Sequence, residues 1–152
     1  MTRILFYLDE FPHEPWRRAL LAADPSVEFC GYPDWGTSSD GNAYAVVWEP
    51  KPGLIKDYSN LKAVFSLGAG IDHILADTTI PDDLPIIRMG DDGLREGMAE
   101  YILMNVLMHH RHVPQFISQQ RDAVWGRALS KPASSVRVGM MGYGALGQCA
   151  AA

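Results

Sequence analysis

Apolar residues in the first part of the chain come in short bursts closed by glycine, proline or acidic residues. "RILFYL" (Arg3–Leu8), "SVEFC" (Ser26–Cys30), "AYAVVW" (Ala43–Trp48), "LKAVFS" (Leu61–Ser66) and "LPIIRM" (Leu84–Met89) each read as a strand. The prolines of "EPKPG" close the third of these, because proline cannot continue a ladder. Pro15 suits the first turn of a helix that carries Trp16, Ala19, Leu20 and Ala23. "LGAG" after the fourth strand runs into a short helix around Ile71–Leu75. Strands alternating with short helices predict an α/β domain built on an open parallel sheet covered on both faces.

The texture changes after "GDDG" (Gly90–Gly93). "GMAEYILMNVLMHH" (Gly97–His110) is apolar nearly all round, interrupted only by Glu100 and Asn105. Such a helix is expected to be buried on most sides, between domains or between subunits. On that helix Glu100 must be paired or hydrogen-bonded. Val113–Ser135 reads as a second helix and an extended arm, and Val136–Met141 as a further strand. That strand is of the buried parallel kind, yet nothing beside it in sequence offers a partner. It is expected to be poorly ordered or to pair outside the chain. The boundary falls near Gly97, dividing the chain into residues 1–97 and 98–152.

Composition narrows the function. Among the 152 residues, 47% are apolar and 20% charged, which describes a globular chain and not a disordered one. The net charge of −5 and the lack of a lysine/arginine stripe argue against nucleic acid as a partner. No stretch approaches the roughly 20 apolar residues that span a bilayer, and the N-terminus does not read as a signal peptide, so a cytoplasmic setting is expected. Cys30 and Cys149 lack metal-ligand spacing, and His109 and His112 find no further ligands nearby, so no metal is expected.

Three places carry candidate chemistry. Gly142-Tyr143-Gly144-Ala145-Leu146-Gly147 is G-x-G-x-x-G after an expected strand and before an expected helix. Its first glycine permits a tight turn, the second lets backbone approach a pyrophosphate, and the third allows close helix–strand packing. Leu67-Gly68-Ala69-Gly70 also joins a strand to a helix. Its successive N–H groups either form a nest for a carboxylate or merely make a tight turn. Trp48 ends a strand at the carboxyl edge of the sheet, where open α/β sheets place ligands, and reads as a ligand wall or a core residue. Arg88 ends another strand, as an anion contact or a surface ion pair.

The order "VVWEP", "LKAVFSLGAGIDHIL", "IIRMGDDGLREGMAEYILMNVL", "DAVWG", "VGMMGYGALG" resembles the D-isomer-specific 2-hydroxyacid dehydrogenase family, and within it the glyoxylate/hydroxypyruvate reductase A group. The resemblance covers the whole chain and about the first half of a typical member. It implies a flavodoxin-like substrate-side domain, a helical dimerisation arm, and the first βα step of a Rossmann coenzyme domain. It further implies NAD- or NADP-dependent reduction of a small 2-oxo acid to the 2-hydroxy acid by hydride transfer. Leu67, Gly68, Ala69 and Gly70 would meet the substrate carboxylate, Trp48 and Leu94 would line the pocket, and Trp125 would reach the neighbouring subunit. Met98 would lie near the nicotinamide, and Gly142 to Gly147 would bind the pyrophosphate. A homodimer through Gly97–Ser135 is implied. The family's catalytic histidine, its glutamate and its substrate-gripping arginine follow the fingerprint, so no catalytic residue is expected here and the chain alone is expected to be inactive. The competing expectation is a truncated, non-catalytic paralogue that binds or dimerises.

Overall fold

A computed structural model describes residues 1–152. It divides into two compact units, Met1–Met89 and Gly90–Ala152. The division lies ahead of the boundary near Gly97, which instead falls inside a continuous helix. That helix begins early because the Asp91 side chain caps it, accepting from the Leu94 N–H at 2.7 Å.

The first unit contains β1 (Arg3–Tyr7), α1 (Glu14–Ala23), β2 (Glu28–Gly31), β3 (Ala43–Val47), β4 (Leu61–Ser66), α2 (Asp72–Leu75) and β5 (Ile86–Ile87). The five strands form one all-parallel sheet in the order β2-β1-β3-β4-β5. This is the flavodoxin-like order, with the chain reversing direction across the sheet between β1 and β3. The fifth strand is much shorter than "LPIIRM". Pro85 has no N–H to donate, although its carbonyl accepts from the Val64 N–H at 2.9 Å, so β5 starts only at Ile86 and ends at Ile87.

One face of the sheet carries the core: Leu5, Tyr7, Ala45, Val47, Val64 and, from α2, Ile74 are fully or almost fully buried. Trp35 from the loop after β2 closes this core, and its indole N–H donates to the Phe6 carbonyl at 3.0 Å. Arg3 fixes that loop. It is 5% exposed and donates to the Trp35 carbonyl at 2.6 Å, to the Thr37 carbonyl at 3.5 Å and to Cys30 Sγ at 3.4 Å. Glu28 and Asp40 balance its charge at 3.4 and 3.5 Å. A buried guanidinium is tolerated because nearly every donor is used.

The second unit contains α3 (Asp92–His110), α4 (Val113–Arg121) and α5 (Ala145–Ala151). Within the second unit the apolar helix is not buried. No residue from Gly90 to Ala152 is buried, and Tyr101, Leu103, Met104 and Leu107 of α3 stay exposed. Within the second unit α4 and α5 pack against α3, too little to cover a helix that is apolar all round. Glu100 is accordingly solvent-exposed and needs no partner. The segment Val136–Met141, expected to be poorly ordered or to pair outside the chain, forms no strand: it is irregular, and Val138 and Met141 are exposed. Every strand of the chain lies in the first unit, so this segment has no ladder to join.

Asp77, at the end of α2, ties two loops together. Its carboxylate accepts from the Gly53 N–H at 2.7 Å and from the Thr79 N–H and hydroxyl at 3.0 and 2.6 Å. Burial pushes this carboxyl up, but the bonds from Thr79 and Gly53 prevail and hold it below the usual carboxylate range. Its contribution to stability is therefore complete above the unfolded value of about 4 and fades as pH falls through the lower folded value. Asp77→Asn is expected to cost about 1–3 kcal/mol at pH 7 and to flatten the acid limb of stability against pH, read by urea denaturation at several pH values.

Candidate active site

The carboxyl ends of β1, β3 and β4 lie side by side, and the ladder continues past each strand. The Trp48 N–H donates to the Tyr7 carbonyl at 3.0 Å, and the Leu67 N–H donates to the Val47 carbonyl at 3.0 Å. Register sets Val47 opposite Ser66, so Trp48 and Leu67 leave the sheet at the same level. This is the edge where a doubly wound sheet accepts ligands, next to its point of reversal.

Trp48 is 38% exposed and is not a core residue. Its ring rests on the backbone of Gly68: a Cβ built there would run into the six-membered ring of the indole. Glycine at 68 thus permits the close approach of the indole, and Gly68 has no positive φ that would demand it. On another side, the Trp48 ring meets the His73 ring with centroids 4.7 Å apart and planes at 52°.

The loop Leu67–Gly70 is braced from within. Ser66 Oγ accepts from the Gly68 N–H at 3.1 Å and donates to the Gly70 carbonyl at 3.0 Å. The Met89 N–H donates to the Gly68 carbonyl at 3.1 Å. Of the four N–H groups considered for an anion nest, those of Leu67 and Gly68 are therefore already engaged. Those of Ala69 and Gly70 make no hydrogen bond within the chain and are the donors left for a carboxylate.

Two hollows flank Trp48. One, about 490 Å³, is lined by Leu8, Phe11, Trp16, Trp48, Leu67 and Gly68. The other, about 190 Å³, is bordered by Tyr7, Asp9, Glu10, Trp48 and Glu49. Glu49 has φ +45°, a left-handed conformation rare for a side chain with a Cβ, and it turns the chain directly after Trp48. Arg88 is exposed and forms no ion pair.

The remaining candidates belong to the second unit. Leu94 and Met98 lie one turn apart on α3, both half-buried. Trp125, 92% exposed, borders a hollow of about 800 Å³ with Phe116, Val124 and Leu129. Gly142 has φ +86°, which favours glycine, and a Cβ on Gly147 would strike the Gly142 carbonyl oxygen. Gly144 caps α5 and would accept a Cβ without contact, leaving open space at the turn; Tyr143 and Ala145 are exposed and Leu146 half-buried. The tight turn at Gly142 is what the fingerprint asks of its first glycine, whereas Gly147 is needed for close contact with that turn and not with a strand. Ser66, Glu49, His73 and Phe11 were missed by sequence reasoning. Only Ser66, a hydroxyl immediately before a glycine-rich turn, offered a signal.

No protein-family model matches the chain. Glyoxylate/hydroxypyruvate reductase A of Yersinia enterocolitica is 30% identical over 154 residues, taking in 97% of this chain and 48% of that protein. The protein of the same name from Serratia proteamaculans is 31% identical over equal shares. A D-isomer specific 2-hydroxyacid dehydrogenase from Xanthobacter autotrophicus Py2, solved with NADPH and MES, superposes with a TM-score of 0.88. It is 34% identical, over 98% of this chain and 48% of that one. The resemblance to the 2-hydroxyacid dehydrogenases holds in sequence and in fold. An NADPH-dependent glyoxylate/hydroxypyruvate reductase of the same family from Sinorhizobium meliloti, solved with NADP and sulfate, gives a TM-score of 0.81 at 34% identity, covering 99% and 48%. The chain spans about half the length of the dehydrogenase relatives it matches.

The contact between Trp48 and Gly68 gives a direct test. Gly68→Ala is expected to displace the indole and to cost about 1–3 kcal/mol by overpacking, seen as a shifted tryptophan emission and a lowered urea midpoint. Strain at Glu49 gives a second. Glu49→Val is expected to cost about 1–2 kcal/mol, because a β-branched residue resists positive φ, whereas Glu49→Gly leaves stability equal or slightly raised, both read by denaturation.

Proposed function

We propose that this chain is the substrate-side part, with the start of the coenzyme part, of an NAD(P)-dependent reductase of small 2-oxo acids of the glyoxylate/hydroxypyruvate kind. The observation that carries this reading is the pair of unengaged N–H groups at Ala69 and Gly70, set beside Trp48 at the ligand-accepting edge of the sheet. Backbone donors fixed by Ser66 suit a carboxylate, because an anion gains from preorganised N–H dipoles without moving a charged side chain.

In this proposal Leu67, Gly68, Ala69 and Gly70 form the carboxylate loop, with Ala69 and Gly70 donating. Trp48 and Leu94 bound the rest of the 2-oxo acid. Gly142, Tyr143, Gly144, Ala145, Leu146 and Gly147 hold the coenzyme pyrophosphate, a role that the turn geometry at Gly142 and Gly147 fits. Met98 lies on the nicotinamide side. NADPH or NADH, when bound, supplies the hydride; relatives solved with NADPH and NADP support that cofactor class. The chain's own residues bind and orient the acid and exclude water around it. No acid–base residue is assigned within the 152 residues, and the chain alone is proposed to be inactive.

The exposed apolar side chains of α3 and of the segment around Trp125 support a homodimer through Gly97–Ser135 in which these surfaces are covered. The reading places the protein in the cytoplasm; no helix is long and apolar enough to cross a membrane.

Coenzyme oxidation assays with glyoxylate and hydroxypyruvate test the proposal on the gene product that carries this sequence. Turnover with either acid is expected, together with at least a tenfold rise in KM for Gly70→Pro, which removes one donor. Absence of turnover with every small 2-oxo acid would overturn the reading.

A further inference from the structure

His73 is a half-buried histidine that the proposed chemistry leaves unused. It lies on α2, directly after the carboxylate loop, and its Nε2 is inaccessible to solvent and without a hydrogen-bond partner. An unpartnered polar atom is costly, so a histidine there calls for a compensating gain. Its ring makes one aromatic contact, with Trp48, at a centroid separation of 4.7 Å. Trp48 in turn lies against Gly68, five residues before His73. The indole therefore fills the crook formed by β4, the loop and α2, held between Gly68 and His73. Trp48 is more than one-third exposed, so general burial does not fix its position. The loop is braced on its inner side by Ser66 Oγ, and Trp48 is the side chain that presses on Gly68.

We propose that His73 is a positioning residue: its ring clamps Trp48 against Gly68 and so holds the Ala69 and Gly70 N–H groups in the orientation that receives a carboxylate. This rests on the reading of Leu67–Gly70 as the carboxylate loop and adds to it a residue that touches no substrate. The clamp works by the shape and face of the ring, since edge-on and tilted aromatic pairs hold one another at such distances. The ring nitrogens are dispensable.

The 152-residue chain titrated with oxamate, an unreactive 2-oxo acid analogue, gives the test, with amide NMR signals of Ala69 and Gly70 as readout and thermal unfolding measured alongside. In the unsubstituted chain both amides are expected to shift on saturation. His73→Ala is expected to weaken oxamate binding at least fivefold. His73→Phe, which keeps a ring and removes the unpartnered nitrogen, is expected to bind within twofold of the unsubstituted chain and to melt no lower. Equal affinity for His73→Ala would overturn the clamp while leaving the carboxylate loop intact. Loss of binding in His73→Phe as severe as in His73→Ala would also overturn it, by assigning the effect to the nitrogen. If oxamate leaves Ala69 and Gly70 unshifted in the unsubstituted chain, the carboxylate loop and the clamp fall together.

Discussion

The parallel pairing of β3 with β4, with Val47 opposite Ser66, is the constraint from which the rest of the site follows. It brings Trp48 and the Leu67–Gly70 loop out of the sheet at one level, and the ladder bonds from Trp48 and Leu67 hold both backbones there. Only because residue 68 lacks a Cβ can the indole rest on the loop. A slip of one residue would turn every side chain of β4 to the opposite face. Lys62 is exposed between the buried Leu61 and Ala63, so such a slip would carry its ammonium group towards a buried position. The site thus draws its rigidity from the core of the first unit.

The two units stand in different thermodynamic positions. The first buries aromatic and aliphatic side chains on its sheet, adds the Arg3 network to fix the loop containing Trp35, and is furnished to fold as a domain. In the second, no side chain is buried, and large apolar groups from Tyr101 to Leu129 face solvent. Helices without a covered apolar face gain little beyond local propensity, so the order of α3 in solution depends on what covers it. The homodimer proposed above would supply that cover. Cys30 illustrates the contrast: burial pushes its thiol up, so it behaves as a small core group, whereas Cys149 sits half-exposed on α5.

Four of the five strands were legible close to their true limits: β1, β3 and β4 as short, continuous apolar runs and β2, at the sheet edge, by the alternation of "SVEFC". The fifth was overextended at its start because the run "LPIIRM" hides a proline without an N–H. Glycine patterns located both turns, and at Gly142 the geometric reason for glycine matches the fingerprint's logic. At Gly68 the reason differs: contact with Trp48, which joins two segments distant in sequence and leaves no local trace. For the same cause Ser66, Glu49 and His73 escaped notice, since their importance arises from neighbours brought near by the sheet. The exposure of α3 and the irregular course of Val136–Met141 share one origin. Apolar pattern reports what a segment can bury, and the chain itself supplies neither a cover for that helix nor a ladder for that strand.

A crystal structure of this chain grown with oxamate would test the central claim most directly. The account predicts the carboxylate within about 2.7–3.2 Å of the Ala69 and Gly70 nitrogens, with Trp48 alongside and the Ser66 bonds unchanged. A carboxylate bound elsewhere, or a loop whose Ala69 and Gly70 N–H groups point into the protein, would contradict it.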